Sequence, residues 1–189
     1  MNDSEKAFWT VPNLLSLLRI ALVPLFVWCF FSAGPHARVW AVAVFLTAGA
    51  TDVVDGWIAR HFHQVSLAGR ILDPLADKLM VFAALACLML DGTLPLWLVL
   101  LYFAKELAQG ICGFALMRRT RDMPPSNILG KAGTFFFYVT IVTLTLFHPS
   151  APVQNTLLTL SYTTILAAFL SYLLRAVRQG QIQHPDSEE

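Results

Sequence analysis

Four aspartates in an apolar stretch are the residues of this sequence best suited to chemistry. Asp52 and Asp55 are three residues apart, and Asp73 and Asp77 are four apart. Because residues at these spacings share one face of a helix, each pair directs two carboxylates the same way. Four converging carboxylates need a counter-charge in a low-dielectric site. Carboxylate ligands favour Mg²⁺ or Mn²⁺, which often complete their coordination with substrate phosphates. The spacing therefore predicts a divalent-cation site that binds a phosphate or diphosphate ester.

The elements that must position these aspartates are membrane helices. Of the 189 residues, 57% are hydrophobic and 13% are charged, whereas soluble domains have about 25% charged residues. An all-α integral membrane protein with six transmembrane helices is predicted, with spans at 11–32, 39–60, 68–90, 94–117, 128–147 and 153–177. Short connections predict antiparallel neighbours in a single domain over residues 1–178. A short interfacial segment is expected before Pro12 and a polar, disordered tail over 179–189.

Basic residues predict the orientation of the spans. They concentrate after the second and fourth spans and at the C-terminal end, whereas the other connections carry only Arg38. Since positive residues favour the cytoplasmic side, both termini and the aspartates are expected to face the cytoplasm. The net charge of +1 argues against nucleic acid as a partner, because binding to a phosphate backbone needs a clustered excess of Lys and Arg.

The aspartates belong to a longer pattern that resembles a known family. The pattern is Asp52-x2-Asp55-Gly56-x2-Ala59-Arg60-x8-Gly69-x3-Asp73-x3-Asp77, and every spacing is that of the CDP-alcohol phosphatidyltransferase signature. The resemblance also covers the first-span element PNLLSLLRI, the PLADK stretch, and Gly130-Lys131 at the start of the fifth span. It therefore extends over most of the chain.

The resemblance implies a six-helix membrane enzyme, usually a homodimer. Such an enzyme moves a phosphatidyl group from CDP-diacylglycerol to an alcohol and releases CMP. It implies that Asp52, Asp55 and Asp73 hold a pair of Mg²⁺ or Mn²⁺ ions, and that Asp77 completes the metal site and acts as the catalytic base. Membrane lipids would surround the protein, and the bacterial cytoplasmic membrane is the expected location. The residues that it assigns to nucleotide binding are Gly56, Ala59, Arg60, Gly69 and Asn13.

The acceptor alcohol is expected to meet basic residues near the fourth and fifth spans. Lys131, Arg118 and Arg119 would suit an acceptor that carries its own phosphate, such as glycerol 3-phosphate, although basic residues there also satisfy the orientation rule. Within the family, the chain most resembles members that use glycerol 3-phosphate. The members that use phosphatidylglycerol and make cardiolipin come second.

Two other functional classes and one ionisable pair also need consideration. Another membrane transferase that acts on a diphosphate, or a divalent-cation transporter, could carry acidic residues within spans. The transferase fits less well because its aspartate motifs are split into two distant parts and lack the Gly-x2-Ala-Arg element. The transporter fits less well because it needs a path across the bilayer, and the four aspartates lie near one edge of the membrane. Lys105 and Glu106 lie deep in the fourth span. Being adjacent, they are expected to point to different faces of the helix, with Glu106 reaching the aspartates or pairing with Arg19.

Overall fold

Six α-helices make up the protein in a computed structural model that describes residues 10–61, 69–120 and 128–182. They are α1 (Val11–Phe31), α2 (Ala37–His61), α3 (Gly69–Leu90), α4 (Leu96–Thr120), α5 (Ile128–Phe147) and α6 (Ala151–Ile182). The all-helical fold predicted from the sequence is confirmed. The expected interfacial segment before Pro12 lies outside the described residues.

Helix α6 continues beyond the predicted end of its span. The span was predicted to end at residue 177, and the helix ends at Ile182. No proline interrupts this segment, and its Arg and Gln residues are good helix formers that outnumber the single Gly180. Residues 179–182 of the predicted tail are therefore helical, and residues 183–189 lie outside the described part of the chain. The extent of a single domain over residues 1–178 stays a prediction.

The helices have the dimensions and the surface of a multi-pass membrane protein. Five of them, all except α3, are long and apolar enough to cross a membrane. Helix α3 has 22 residues, or about 33 Å at 1.5 Å per residue, which also matches a hydrocarbon core of ~30 Å. Large apolar side chains are exposed, among them Trp28, Trp40 and Phe147. Lipid is the environment in which such a surface is stable.

The described contacts divide the chain into two compact units, and the first holds α1, α2 and α3. Helix α1 packs against both α2 and α3, more extensively than those two helices pack against each other. Phe26 and Phe30 of α1 are buried, and the Phe26 ring lies 6.0 Å from that of Phe45 in α2. The two helices that carry the aspartates are therefore held together mainly through α1.

Specific contacts set the ends of the helices in this first unit. The Thr10 side chain accepts a hydrogen bond from the backbone N–H of Asn13 and caps the start of α1. Helix α3 ends in a Schellman motif around Gly92, whose φ of +78° favours glycine. At the same end, the Arg38 guanidinium lies 2.7 Å from the Asp91 carboxylate and stacks on Phe30. This ion pair joins the start of α2 to the end of α3, opposite the aspartates.

In the second unit, α6 packs against both α4 and α5. A Cβ added at Gly133 of α5 would lie 3.4 Å from backbone atoms of α6, so the two helices approach closely there. The hydroxyls of Thr140 and Ser161 lie 2.6 Å apart in the buried contact. The buried Phe137 ring meets Tyr162 edge-on at 6.1 Å. Close packing at a glycine, hydroxyl contacts and aromatic contacts therefore hold the helices of this unit together.

Candidate active site

The four aspartates lie at neighbouring ends of α2 and α3. Asp52 and Asp55 are in the last three turns of α2, and Asp73 and Asp77 are in the first three turns of α3. Asp55 is buried, with 3% of its side chain exposed, whereas 46% of the Asp52 side chain is accessible. Asp73 and Asp77 are half-buried. The site therefore combines a buried carboxylate with others that solvent or a ligand can reach.

Arg19 of α1 binds both aspartates of α2. Its side chain is 1% exposed, its Nη2 donates to Asp55 Oδ2, and its Nη1 lies 2.7 Å from Asp52 Oδ1. The second contact is an ion pair by distance alone, because no N–H of Nη1 points at an acceptor within residues 10–61, 69–120 and 128–182. Nε also has no hydrogen-bond partner among the described residues. One guanidinium thus faces two carboxylates with part of its hydrogen-bonding capacity unused.

Ser16 lies one turn before Arg19 on α1 and contacts Asp73, one of the two aspartates of α3. Its fully buried hydroxyl contacts Asp73 Oδ1 and also lies 3.0 Å from the carbonyl oxygen of Pro12. Asn13, a further turn back, is 1% exposed. Because these three residues recur every three positions, they form one polar face on an otherwise apolar helix. We call Asn13, Ser16 and Arg19 the polar face of α1, and it connects the aspartates of α2 with those of α3.

These connections were not predicted from the sequence. Glu106 was expected to reach the aspartates or to pair with Arg19, and the partners that the structure shows for Arg19 are Asp52 and Asp55. A detectable signal was present, since a serine and an arginine three residues apart in an apolar span predict a polar face. What the sequence did not indicate was which carboxylates this face meets.

Lys105 and Glu106 of α4 form an ion pair with each other. Lys105 Nζ lies 2.6 Å from Glu106 Oε1, and their side chains are 14% and 20% exposed. The contact joins only the ends of the two side chains, so the expectation that these adjacent residues project from different faces of α4 stays a prediction. Their charged ends can meet because both side chains are long and flexible. Lys105 Nζ also lies 5.9 Å from the centre of the Tyr102 ring.

The donor set of the aspartate site fits a hard divalent cation in its chemistry. All four candidates offer carboxylate oxygens, the ligands that Mg²⁺ and Mn²⁺ prefer. In the described parts of the chain, no three Asp, Glu, His or Cys side chains are grouped as a metal site. The contacts of these aspartates that the structure shows are with Arg19 and Ser16 of α1. The assignment of the aspartates as metal ligands stays a prediction.

The other predicted site residues are described to different extents. Gly69 is buried at the start of α3, and Lys131 is exposed in the first turns of α5. Gly56, Ala59 and Arg60 lie within α2, and Arg118 and Arg119 lie within α4, but their side chains fall outside the described residues. Gly69 and Asn13 share the first unit with all four aspartates.

The fold and the site define a broad class, that of helical membrane proteins with a pair of aspartates at the end of each of two helices. Comparison with known proteins identifies the family: the sequence profile of the CDP-alcohol phosphatidyltransferases matches residues 9–173. The chain belongs to the CDP-alcohol phosphatidyltransferase family. Enzymes of this family depend on divalent cations, and membership separates the chain from cation transporters.

Individual relatives carry the names of two different enzymes. The chain is 42% identical to "Cardiolipin synthase (CMP-forming)" of Streptomyces coelicolor over 130 residues, which are 67% of this chain and 60% of that protein. It is 34% identical over 151 residues to the "CDP-diacylglycerol--glycerol-3-phosphate 3-phosphatidyltransferase" of Bacillus subtilis, covering 73% of this chain and 77% of the relative. A protein of that same name from Rickettsia bellii is 34% identical over 126 residues, 66% of this chain and 68% of the relative.

Proposed function

We propose that this protein transfers a phosphatidyl group from CDP-diacylglycerol to glycerol 3-phosphate and releases CMP, which makes it a phosphatidylglycerophosphate synthase. The main observation behind the proposal is that the polar face of α1 contacts Asp52 and Asp55 of α2 and also Asp73 of α3. The names of the Bacillus subtilis and Rickettsia bellii relatives support this donor and this acceptor.

In the proposed reaction, the acceptor hydroxyl oxygen forms a bond to the β-phosphorus of CDP-diacylglycerol. The bond from that phosphorus to the oxygen of CMP breaks, and CMP leaves with the electron pair. Asp77 would accept the proton of the acceptor hydroxyl, a step that commonly accelerates a reaction by ~10²–10⁴-fold. Its half-buried position on α3, one turn after Asp73, suits a group that must both meet a substrate and exchange a proton.

Asp52, Asp55, Asp73 and Asp77 would hold two Mg²⁺ or Mn²⁺ ions. When bound, these cations would neutralise negative charge on the phosphoryl oxygens and on the departing CMP. Gly69, with Gly56 and Ala59, would let the nucleotide approach the helix backbones, because these residues have small side chains or none. Arg60 and Asn13 would offer polar contacts to the nucleotide.

The donor reaction can be tested with one variant and a matched control. Purified protein is supplied with CDP-diacylglycerol, Mg²⁺ and glycerol 3-phosphate, and CMP release is measured. Asp77→Asn should retain CDP-diacylglycerol binding and lose CMP release. Asp91→Asn, at the opposite end of the same helix bundle, should release CMP at the wild-type rate. Near-normal turnover by Asp77→Asn would exclude this residue as the base.

A second candidate function is cardiolipin synthesis with phosphatidylglycerol as the acceptor. The identity of 42% to the Streptomyces coelicolor protein favours it. The two acceptors differ in charge and in solubility, since glycerol 3-phosphate is a water-soluble dianion and phosphatidylglycerol is a membrane lipid. The discriminating measurement offers both acceptors to the same preparation, with Mg²⁺, and identifies the lipid product by mass. A product of the mass of cardiolipin alone would replace the first candidate with the second.

Lys131 offers a direct test of acceptor binding. It is exposed near the start of α5, and we propose that it binds the phosphate of glycerol 3-phosphate together with Arg118 and Arg119. Loss of one charge-assisted hydrogen bond of about 1.5–3 kcal/mol would raise KM about 10-fold or more. Lys131→Met should therefore raise KM for glycerol 3-phosphate and leave KM for CDP-diacylglycerol unchanged. An equal change in both values would argue against an acceptor role.

We also propose that the protein is a homodimer of the bacterial cytoplasmic membrane, with both termini and the aspartates facing the cytoplasm. The distribution of basic residues supports this orientation. A green fluorescent protein fused after residue 189 should fluoresce, whereas alkaline phosphatase fused there should be inactive. Chemical cross-linking in native membranes should give a species of twice the 21.0 kDa chain mass. The opposite reporter pattern, or a monomer alone, would refute the corresponding part.

A further inference from the structure

We propose that Arg19 is a positioning residue for the divalent-cation site, and that its guanidinium stays in place and orients Asp52 and Asp55 when the cation binds. This inference rests on the proposed function, which supplies the cation. Arg19 contacts Oδ1 of Asp52 and Oδ2 of Asp55. Each carboxylate has a second oxygen, so one oxygen can face the guanidinium while the other binds a cation.

The burial of Arg19 indicates that it does not leave when a cation arrives. Its side chain is 1% exposed and projects from α1, the helix that packs against both α2 and α3. Moving this charge away from Asp52 and Asp55 would place it among apolar residues or lipid, which is unfavourable. A planar guanidinium can also contact two carboxylates at once, which an ammonium group does less well.

The unused donors of Arg19 point to the same conclusion. Nε and Nη1 are buried without a hydrogen-bond acceptor in the described part of the chain, although Nη1 is close to Asp52 Oδ1. Leaving a charged donor unsatisfied is unfavourable. A small rotation of the Asp52 carboxylate, as a cation binds its other oxygen, would bring Oδ1 into line with the Nη1–H bond. We therefore expect the arginine contacts to improve in the cation-bound state.

A competing interpretation makes the opposite prediction. If Arg19 were only a counter-ion that occupies the place of the cation, its removal would free the carboxylates and tighten cation binding. If it positions the carboxylates, its removal loosens them and weakens binding. Residues that orient metal ligands typically contribute about 10- to 100-fold in metal affinity. The direction of the change therefore decides between the two.

The experiment measures Mn²⁺ binding to the purified full-length protein by electron paramagnetic resonance, which does not depend on turnover. Arg19→Gln should weaken Mn²⁺ binding by about 10- to 100-fold. Arg19→Lys should fall between this variant and wild type, because a lysine retains the charge but not the two-pronged geometry. Arg38→Gln removes the ion pair at the other end of the unit and should bind Mn²⁺ as wild type does.

Three outcomes would overturn the inference. They are tighter binding by Arg19→Gln, unchanged binding by both Arg19 variants, and equal weakening by the Arg38 control. If Arg19→Gln fails to fold, Arg19→Lys still gives the test, since it keeps a cation in the buried site. CMP release is measured separately. Wild-type protein that binds Mn²⁺ without releasing CMP would refute the proposed function and leave the Arg19 comparison valid.

Discussion

Replacing Ser16 by alanine tests whether α1 supports the aspartates of α3 as well as those of α2. The Ser16 hydroxyl is fully buried and contacts both Asp73 Oδ1 and the Pro12 carbonyl oxygen. A hydroxyl has one hydrogen to donate. An ionised carboxylate is the stronger acceptor, and the Pro12 carbonyl also lies in the helical hydrogen-bond pattern. Ser16→Ala should therefore remove a charge-assisted hydrogen bond from Asp73.

The size of the effect follows from the surroundings of Asp73. A hydrogen bond to a charged group contributes about 1.5–3 kcal/mol, and each 1.4 kcal/mol corresponds to about a factor of ten. Asp73 is half-buried, so water can replace part of the lost contact. We therefore expect the lower end of the range. If Asp73 binds a cation as proposed, the Mn²⁺ concentration for half-maximal CMP release should rise about tenfold.

Ser32→Ala is the matched control for this measurement. Ser32 caps the other end of α1, and its hydroxyl donates to the Trp28 carbonyl oxygen at 2.7 Å. Ser32→Ala also removes a hydroxyl group at α1, but this hydroxyl donates to a backbone carbonyl and not to a carboxylate. The Mn²⁺ concentration for half-maximal CMP release should therefore stay at the wild-type value. The reasoning is refuted if Ser16→Ala also keeps that value. It is equally refuted if both variants shift by the same factor.

Two further predictions concern the second unit and are read out by thermal unfolding in detergent. Gly133→Leu should destabilise the protein by about 1–3 kcal/mol through overpacking, because backbone atoms of α6 lie 3.4 Å from the added Cβ. Gly130→Leu is the control and should destabilise less, because it adds a side chain to open space. Equal melting temperatures for these two variants would contradict the close packing. Lys105→Met removes the ammonium group that lies 2.6 Å from Glu106 and should destabilise the protein by about 1–3 kcal/mol, and adding Glu106→Gln should recover part of the loss. Additive effects in this double-mutant cycle would show that the pair is not coupled.

Most of the fold could be predicted because long apolar runs separated by turn signals leave few alternatives to membrane helices. The fifth span was predicted over residues 128–147, and α5 runs Ile128–Phe147. The sixth span was predicted to end at residue 177, where the sequence becomes polar. A polar residue does not end a helix, and α6 continues to Ile182.

The contacts of the site could be predicted only in part. Helical spacing correctly placed Asp52 with Asp55, and Asp73 with Asp77, on the ends of α2 and α3. It carries no information about which helix lies between them, so the contacts of Arg19 and Ser16 could not be derived. These contacts join residues that are 33 to 57 positions apart in the chain.

The polar face of α1 and the acidic cluster depend on each other, which changes how substitutions here must be interpreted. A buried arginine in a membrane helix is unfavourable unless acidic partners balance it. Asp55→Asn would therefore remove a proposed cation ligand and also half of the counter-charge of Arg19. Lost activity alone could reflect either change. Substitutions at Arg19 and Ser16 keep every carboxylate, so a change in Mn²⁺ affinity there reports on orientation rather than on a missing ligand. The non-carboxylate partners on α1 are thus the more informative positions for testing how the site is built.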